Sequence, residues 1–107
     1  MAFECAVETM PDEVRMTLTG ELDASSAPRF KESIEKVAGT GFSHLVLYVG
    51  GLQFMASAGL RVLIFAKQKM GGGVSIHVVG ASGPVLNTLT MSGFHHSVFL
   101  EDTYTRV

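Results

Sequence analysis

The sequence is poor in the residues that staple or anchor a chain. Cys5 is the one cysteine among 107 residues, so no internal disulfide framework can form, and this usage suits a reducing compartment. No apolar run approaches the roughly 18 residues that a membrane span needs. The longest pure stretch in the middle, Val62-Leu63-Ile64-Phe65-Ala66, is far shorter. Met1-Ala2-Phe3-Glu4 lacks the basic-then-apolar order of a secretory signal. A cytoplasmic protein without membrane insertion is expected. Basic clusters are missing as well. Lys and Arg together number 8 against 10 Asp and Glu, for a formal net charge of −2, and they are scattered. Nucleic-acid binding calls for a concentrated basic footprint, so that class is set aside. Lys67-Gln68-Lys69 reads as a solvated helix end, placed where a helix dipole favours cations.

What is present suits one compact domain over 1–107, with enough apolar content (47%) to fill a core unaided. Phe3 to Thr9 reads as a strand, followed by a turn at Met10-Pro11-Asp12-Glu13. Val14 to Thr19 alternates apolar and polar residues, as a half-buried strand does, and Gly20 is expected to end it. The two segments form a hairpin. Ser25-Ser26-Ala27-Pro28 marks a helix start with a serine cap. Phe30, Ile34, Val37 and Ala38 then recur at helical spacing up to the stop at Gly39 and Gly41.

His44 to Val49 is a nearly continuous apolar run, expected of a strand covered on both faces. A helix from Ser57 to about Met70 follows the stretch Gly50 to Met55, and Gly71-Gly72-Gly73 breaks it. In it Leu60, Leu63 and Ile64 make one apolar face, widened by Val62, Phe65 and Ala66, which fits either deep burial or a docked partner. Val74 to Val79 is a strand. Ser82-Gly83-Pro84 opens a third helix, with Val85, Leu86, Leu89 and Thr90 able to face the core, and Ser92-Gly93 closes it. Ser97 to Leu100 is the last strand. The order β-β-α-β-α-β-α-β predicts an α/β fold: a mixed, mostly parallel sheet reached through right-handed crossovers, with helices packed on it.

Catalytic patterns are incomplete. Ser57-Ala58-Gly59 has the end of a nucleophile elbow, but Met55 stands where the first glycine belongs. His44, His77, His95 and His96 have no chain-order tie to Ser57 as general bases. They also fail as a metal motif. His95 and His96 are adjacent and expected on opposite faces of an extended segment, while His44 and His77 lie in separate strands. Solvated or edge histidines are the expectation. The triple glycine has no following Gly-Lys-Ser/Thr to make a phosphate loop. Nothing beside Cys5 suggests an activated thiol. From the residues alone, Ser57 reads as a helix N-cap.

Three strings in register say more. Leu52-Gln53-Phe54-Met55-Ala56-Ser57-Ala58-Gly59-Leu60 resembles the strand-loop-helix signature of the STAS family, which typically reads Asp-Ser-(Ser, Thr or Ala)-Gly-Leu. Leu18-Thr19-Gly20-Glu21-Leu22-Asp23 resembles that family's turn after its second strand. Met91-Ser92-Gly93-Phe94 is similar to its segment before the final strand. The resemblance spans nearly the whole chain and extends to the anti-sigma factor antagonists. It implies a non-enzymatic switch without a cofactor of its own, monomeric when free. It places the phosphoacceptor on Ser57 and the acidic position before it on Ala56. It also makes Asp23, Ala56, Ala58 and Gly59 partner contacts, with Gly59 leaving room for a partner backbone. The implied partners are a serine kinase that doubles as an anti-sigma factor, bound by the unphosphorylated form, and a serine phosphatase that resets the switch. The alanine at position 56 motivates an alternative: a constitutive STAS docking module, such as an assembly subunit or a lipid-transport component.

Overall fold

The computed structural model describes residues 2–104. Its elements run β1 (Glu4–Met10), β2 (Glu13–Leu22), α1 (Ala27–Val37), β3 (His44–Met55), α2 (Ser57–Met70), β4 (Ser75–Val79), α3 (Gly83–Met91) and β5 (Phe99–Glu101). Short 3-10 turns at Gly71–Gly73 and Phe94–His96 follow α2 and α3. The element order is the expected one. The strands form a single five-stranded sheet in the order β1-β2-β3-β4-β5. β1 pairs antiparallel with β2, and every later pair is parallel.

The alternation in β2 decides which way the sheet faces. Val14, Met16 and Leu18 are fully or almost fully buried and join the main core. Their partners on that face include Leu45 and Leu47 of β3 and Ile76 and Val78 of β4. The three helices cover this face: α1 packs on α2, and α2 on α3. Phe30, Ile34 and Val37 form the buried stripe of α1 at the expected spacing. Burying each large side chain among them stabilises the fold by about 1.5–3 kcal/mol. In α2 the buried positions are Gly59, Val62, Leu63 and Ala66. Ile64, on the apolar face that fits either burial or a docked partner, is 38% exposed and turned to the surface. In α3, Val85 and Leu89 are buried, with Leu86 and Thr90 only partly so.

The strands run longer than the sequence pattern suggests. β2 continues through Gly20 to Leu22, and β3 continues through Gly50-Gly51 to Met55. The reason is a pair of register shifts. Thr17 and Thr19 face Tyr48 and Gly51, and Gly20 and Glu21 face Leu52 and Phe54. β3 thus inserts extra residues against β2, which breaks the period-two signal while the ladder goes on. Glycine is needed there: a Cβ on Gly51 would lie 2.9 Å from Thr19 Cγ2. Gly20 itself sits at φ 85°, a conformation that costs a glycine little.

Two local expectations are corrected. A serine, Ser26, does stand at the N-cap of α1, but its hydroxyl turns back to Glu21 and Asp23 and makes no capping hydrogen bond to the helix. His95 and His96 lie in a 3-10 turn, not an extended strand, and their rings sit side by side with centroids 3.9 Å apart.

Candidate functional site

The carboxyl ends of β2 and β3 lie together at one edge of the sheet, the edge where open α/β sheets place their sites. Leu22 pairs with Met55 in the ladder. One residue on, the Ala56 amide donates to the Leu22 carbonyl at 2.8 Å, which sets Asp23 and Ala56 beside each other as the strands end. From the other side, the Thr88 hydroxyl of α3 donates to the Met55 carbonyl at 3.0 Å. The backbone entering α2 is therefore held by both a neighbouring strand and a helix.

Ser57 is the first residue of α2. The N-cap is Ala56, extended at φ −80° and ψ 167°, so the expectation of Ser57 as the cap is corrected by one position. Alanine has no side-chain acceptor, and no side chain caps this helix. The Ala56 carbonyl accepts from the Gly59 and Leu60 amides at 3.0 and 3.1 Å. The amides of Ser57 and Ala58 have no intrahelical acceptor, as at any helix start. Ser57 is exposed, Ala56 and Ala58 are half-buried, and no acidic residue lies in the first turn. A hydroxyl here stands at the positive end of the helix dipole, where an added anion is favoured. Arg61 is exposed one turn further on, at the spacing that puts two side chains on the same helix face.

Gly59 is buried, with its missing side chain pointing inward. A Cβ built on it would lie 2.6 Å from Leu22 Cγ and 2.7 Å from Leu22 Cδ2. The glycine lets the first turn of α2 settle on the end of β2, a packing requirement within the domain itself.

Asp23 organises the other half of the site. Its Oδ1 accepts from the Ser25 amide at 3.0 Å, the Ser25 hydroxyl at 2.7 Å and the Ser26 amide at 3.1 Å. The Ser26 hydroxyl also lies 3.1 Å from that oxygen. The Asp23 carbonyl also accepts from the Ser26 and Ala27 amides, which fixes the turn that leads into α1. These hydrogen bonds, led by the Ser25 hydroxyl, hold its carboxyl below the usual carboxylate range. A group depressed in this way stabilises the fold above its unfolded pKa, and the contribution is lost as pH falls through the folded value. The Tm gap between wild type and Asp23→Asn should therefore be constant near neutrality and narrow once pH falls below the ordinary 3.8. Thermal melts from pH 7 to pH 3 check it, and a gap that widens on acidification contradicts the assignment. A shallow cavity of about 330 Å³ opens beside this turn, lined by Phe3, Glu21, Asp23, Ser25 and Arg29 among others. Phe54, near the end of β3, is a 43% exposed aromatic side chain.

The sequence-predicted residues Asp23, Ala56, Ser57, Ala58 and Gly59 thus fall in one region, while the histidines do not join it. His44 and His77, expected apart, meet on the opposite sheet face at 3.3 Å. Among the described residues no group of three or more side chains has a metal-holding arrangement, and no helix is long and apolar enough to cross a membrane. Cys5 is half-buried in β1, and burial pushes its thiol pKa up, away from reactivity.

This geometry, a serine on the first turn after a parallel strand with an acidic turn beside it, is that of a known domain class. The STAS domain model matches residues 4–107, and the chain belongs to that family. It is 25% identical over 88 residues to the anti-sigma-F factor antagonist RsfB of Mycobacterium tuberculosis, covering 82% of this chain and 72% of that protein. Among solved structures, an anti-sigma factor antagonist from Mycobacterium paratuberculosis superposes with a TM-score of 0.87. The identity is 22%, over 95% of this chain and 87% of that one. The Bacillus cell fate determinant SpoIIAA in its phosphorylated form gives a TM-score of 0.73 at 17% identity, over 95% of this chain and 92% of the other.

Proposed function

We propose that this protein is an anti-sigma factor antagonist that acts by binding, with no chemistry of its own. In this reading the unphosphorylated form engages a serine kinase that doubles as an anti-sigma factor. Phosphorylation of Ser57 ends that association, and a separate serine phosphatase restores it. ATP and Mg²⁺ belong to the kinase. The observation that carries the reading is the exposed Ser57 hydroxyl at the first position of α2, on a backbone fixed by β2 and α3.

The physics suits a change in binding rather than in fold. A phosphate adds about −1.5 to −2 charges at a helix start that tolerates anions, with Arg61 one turn away to meet it. The same group at the centre of an interface must be desolvated against the partner, which costs several times more than the helix returns. A shallow cavity at Asp23, in the turn beside the end of β3, supplies polar contact area in the same region. The similarity to named antagonists supports the same assignment.

A second reading, a constitutive STAS docking module, is favoured by one observation: Ala56 leaves the position before Ser57 without a carboxylate. Affinity capture from source-cell lysate with wild type, Ser57→Ala and Ser57→Asp as baits separates the two. The switch predicts that the first two retain an ATP-binding serine kinase and the third loses it. Retention of one non-kinase partner by all three baits establishes the docking module instead.

A further inference from the structure

The sheet has a second face, on which no helix packs among the described residues, yet part of it is dry. Val46 and Val79 are 0% and 5% exposed but lie outside the core between sheet and helices, and Glu13 beside them is fully buried. After β5, Asp102–Tyr104 fold back over this face. The Tyr104 hydroxyl donates to Glu13 Oε1 at 2.8 Å, and Arg15 pairs with the other oxygen of the same carboxylate. The Arg15 guanidinium also lies 6.0 Å from the Tyr104 ring centroid. The Tyr104 ring meets His77 edge-on at 4.9 Å, and Phe99 stacks on His77 at 5.0 Å. His77 is thus the ring against which the returning segment rests.

His77 is also the middle of a hydrogen-bonded chain across three strands. Its Nδ1 lies 2.6 Å from Glu101 Oε1 of β5, and its Nε2 lies 3.3 Å from His44 Nδ1 of β3. The chain dictates its own tautomers. With both rings neutral, His77 Nδ1–H donates to Glu101, and His44 Nδ1–H donates to His77 Nε2. One added proton is accommodated: His77 becomes an imidazolium that donates to Glu101 from one nitrogen and to His44 from the other. A second proton is not. Two imidazolium rings would then face each other N–H to N–H across 3.3 Å, with no acceptor between them.

We propose that the His44–His77–Glu101 chain makes Asp102–Tyr104 a proton-operated latch, closed over the second sheet face with at most one added proton and opened by the second. The groups facing the pair are consistent with that limit. Glu101 from β5 offsets one positive charge, while Glu13 from β2 is already occupied by Arg15 and Tyr104. Glu8 of β1 faces Arg15 across the ladder rather than the histidines, and Tyr48 of β3 lies further along the sheet. Double protonation drives the His44 and His77 rings apart, and the displaced His77 no longer supports Tyr104. An unperturbed imidazole changes charge between about pH 5 and 8, the range that the test spans.

The test is hydrogen exchange and NMR of the wild-type chain at pH 8 and pH 5. Amide protection of Asp102–Tyr104 is corrected for the intrinsic pH dependence of exchange, and the Tyr104 ring signals are followed alongside the histidine signals. Protection should fall at least tenfold at pH 5, in step with the second histidine transition. His44→Gln, at the start of β3, removes the second titrating ring but keeps a hydrogen-bonding side chain, and should keep the latch closed at pH 5. Glu101→Gln removes the offsetting carboxylate and should open it at higher pH than wild type. Equal protection of the wild-type segment at both pH values overturns the proposal without recourse to any variant. So does opening of His44→Gln at the same pH as wild type.

Discussion

Ser57→Asp should lower affinity for the proposed kinase partner by more than tenfold while leaving the fold intact or slightly firmer. The two effects have opposite signs because they come from different neighbours. Within the domain, a carboxylate at the first position of α2 meets two unpaired amides and the positive dipole end, in a turn that holds no other acid. Such a charge stabilises a helix by about 0.3–1 kcal/mol. At the interface the same charge must shed its water against the partner, and a tenfold loss in affinity corresponds to only about 1.4 kcal/mol. Ser57→Ala, which adds neither charge nor bulk, should bind as wild type does. Calorimetric titration of the three proteins with the captured kinase, beside thermal melts of each, measures both signs together. Equal affinity of wild type and Ser57→Asp would sink the switch, even if the melts behave as expected.

Leu22→Ala should cost about 2–5 kcal/mol, the usual range for truncating a fully buried leucine. In a domain of this size that is a Tm fall of roughly 10–20 °C. The more informative result is its coupling to Gly59. Gly59→Ala alone places a methyl 2.6 Å from Leu22 Cγ, and the overpacking costs about 1–3 kcal/mol, partly offset by about 1 kcal/mol of better helix propensity. In the double variant the new methyl occupies space that Leu22 has vacated. The two losses should then fall short of additivity by about 1 kcal/mol or more. Denaturant unfolding of the four proteins closes the cycle. Additive losses would mean that the seat of α2 on β2 does not depend on this contact.

The parts of the fold that were legible in the sequence are those whose signal is local. Val14, Met16 and Leu18 alternate because one face of β2 is core. Phe30, Ile34 and Val37 recur because one stripe of α1 is core. The Ser57 helix was placed by its own string of residues. What escaped depends on pairing between distant segments. The apolar run reads as ending at Val49 because bulging breaks the pattern at Gly50-Gly51, although β2 keeps the strand in the ladder. Ser57 reads as a cap because serines often are one, but the extended backbone of Ala56 takes that place. Asp23 reads as a partner contact, and its part in holding the turn before α1 needs the chain to fold back at Ser25 and Ser26. His44 and His77 are 33 positions apart and meet only through the parallel register of β3 and β4, which puts Val46 beside His77 and His44 just below. No spacing rule along a single segment signals such a meeting.

The hydrogen bonds from Ala56 to Leu22 and from Thr88 to Met55 have a kinetic consequence. A loop tied down on both sides before any encounter has no ordering step to complete during one. The entropy that a mobile loop would surrender on docking has already been lost in folding. The speed of complex formation is then governed by collision and orientation, and any slow conformational step belongs to the partner. Competing partners would accordingly be sorted by how long they stay, since this surface gives each of them the same reception on arrival.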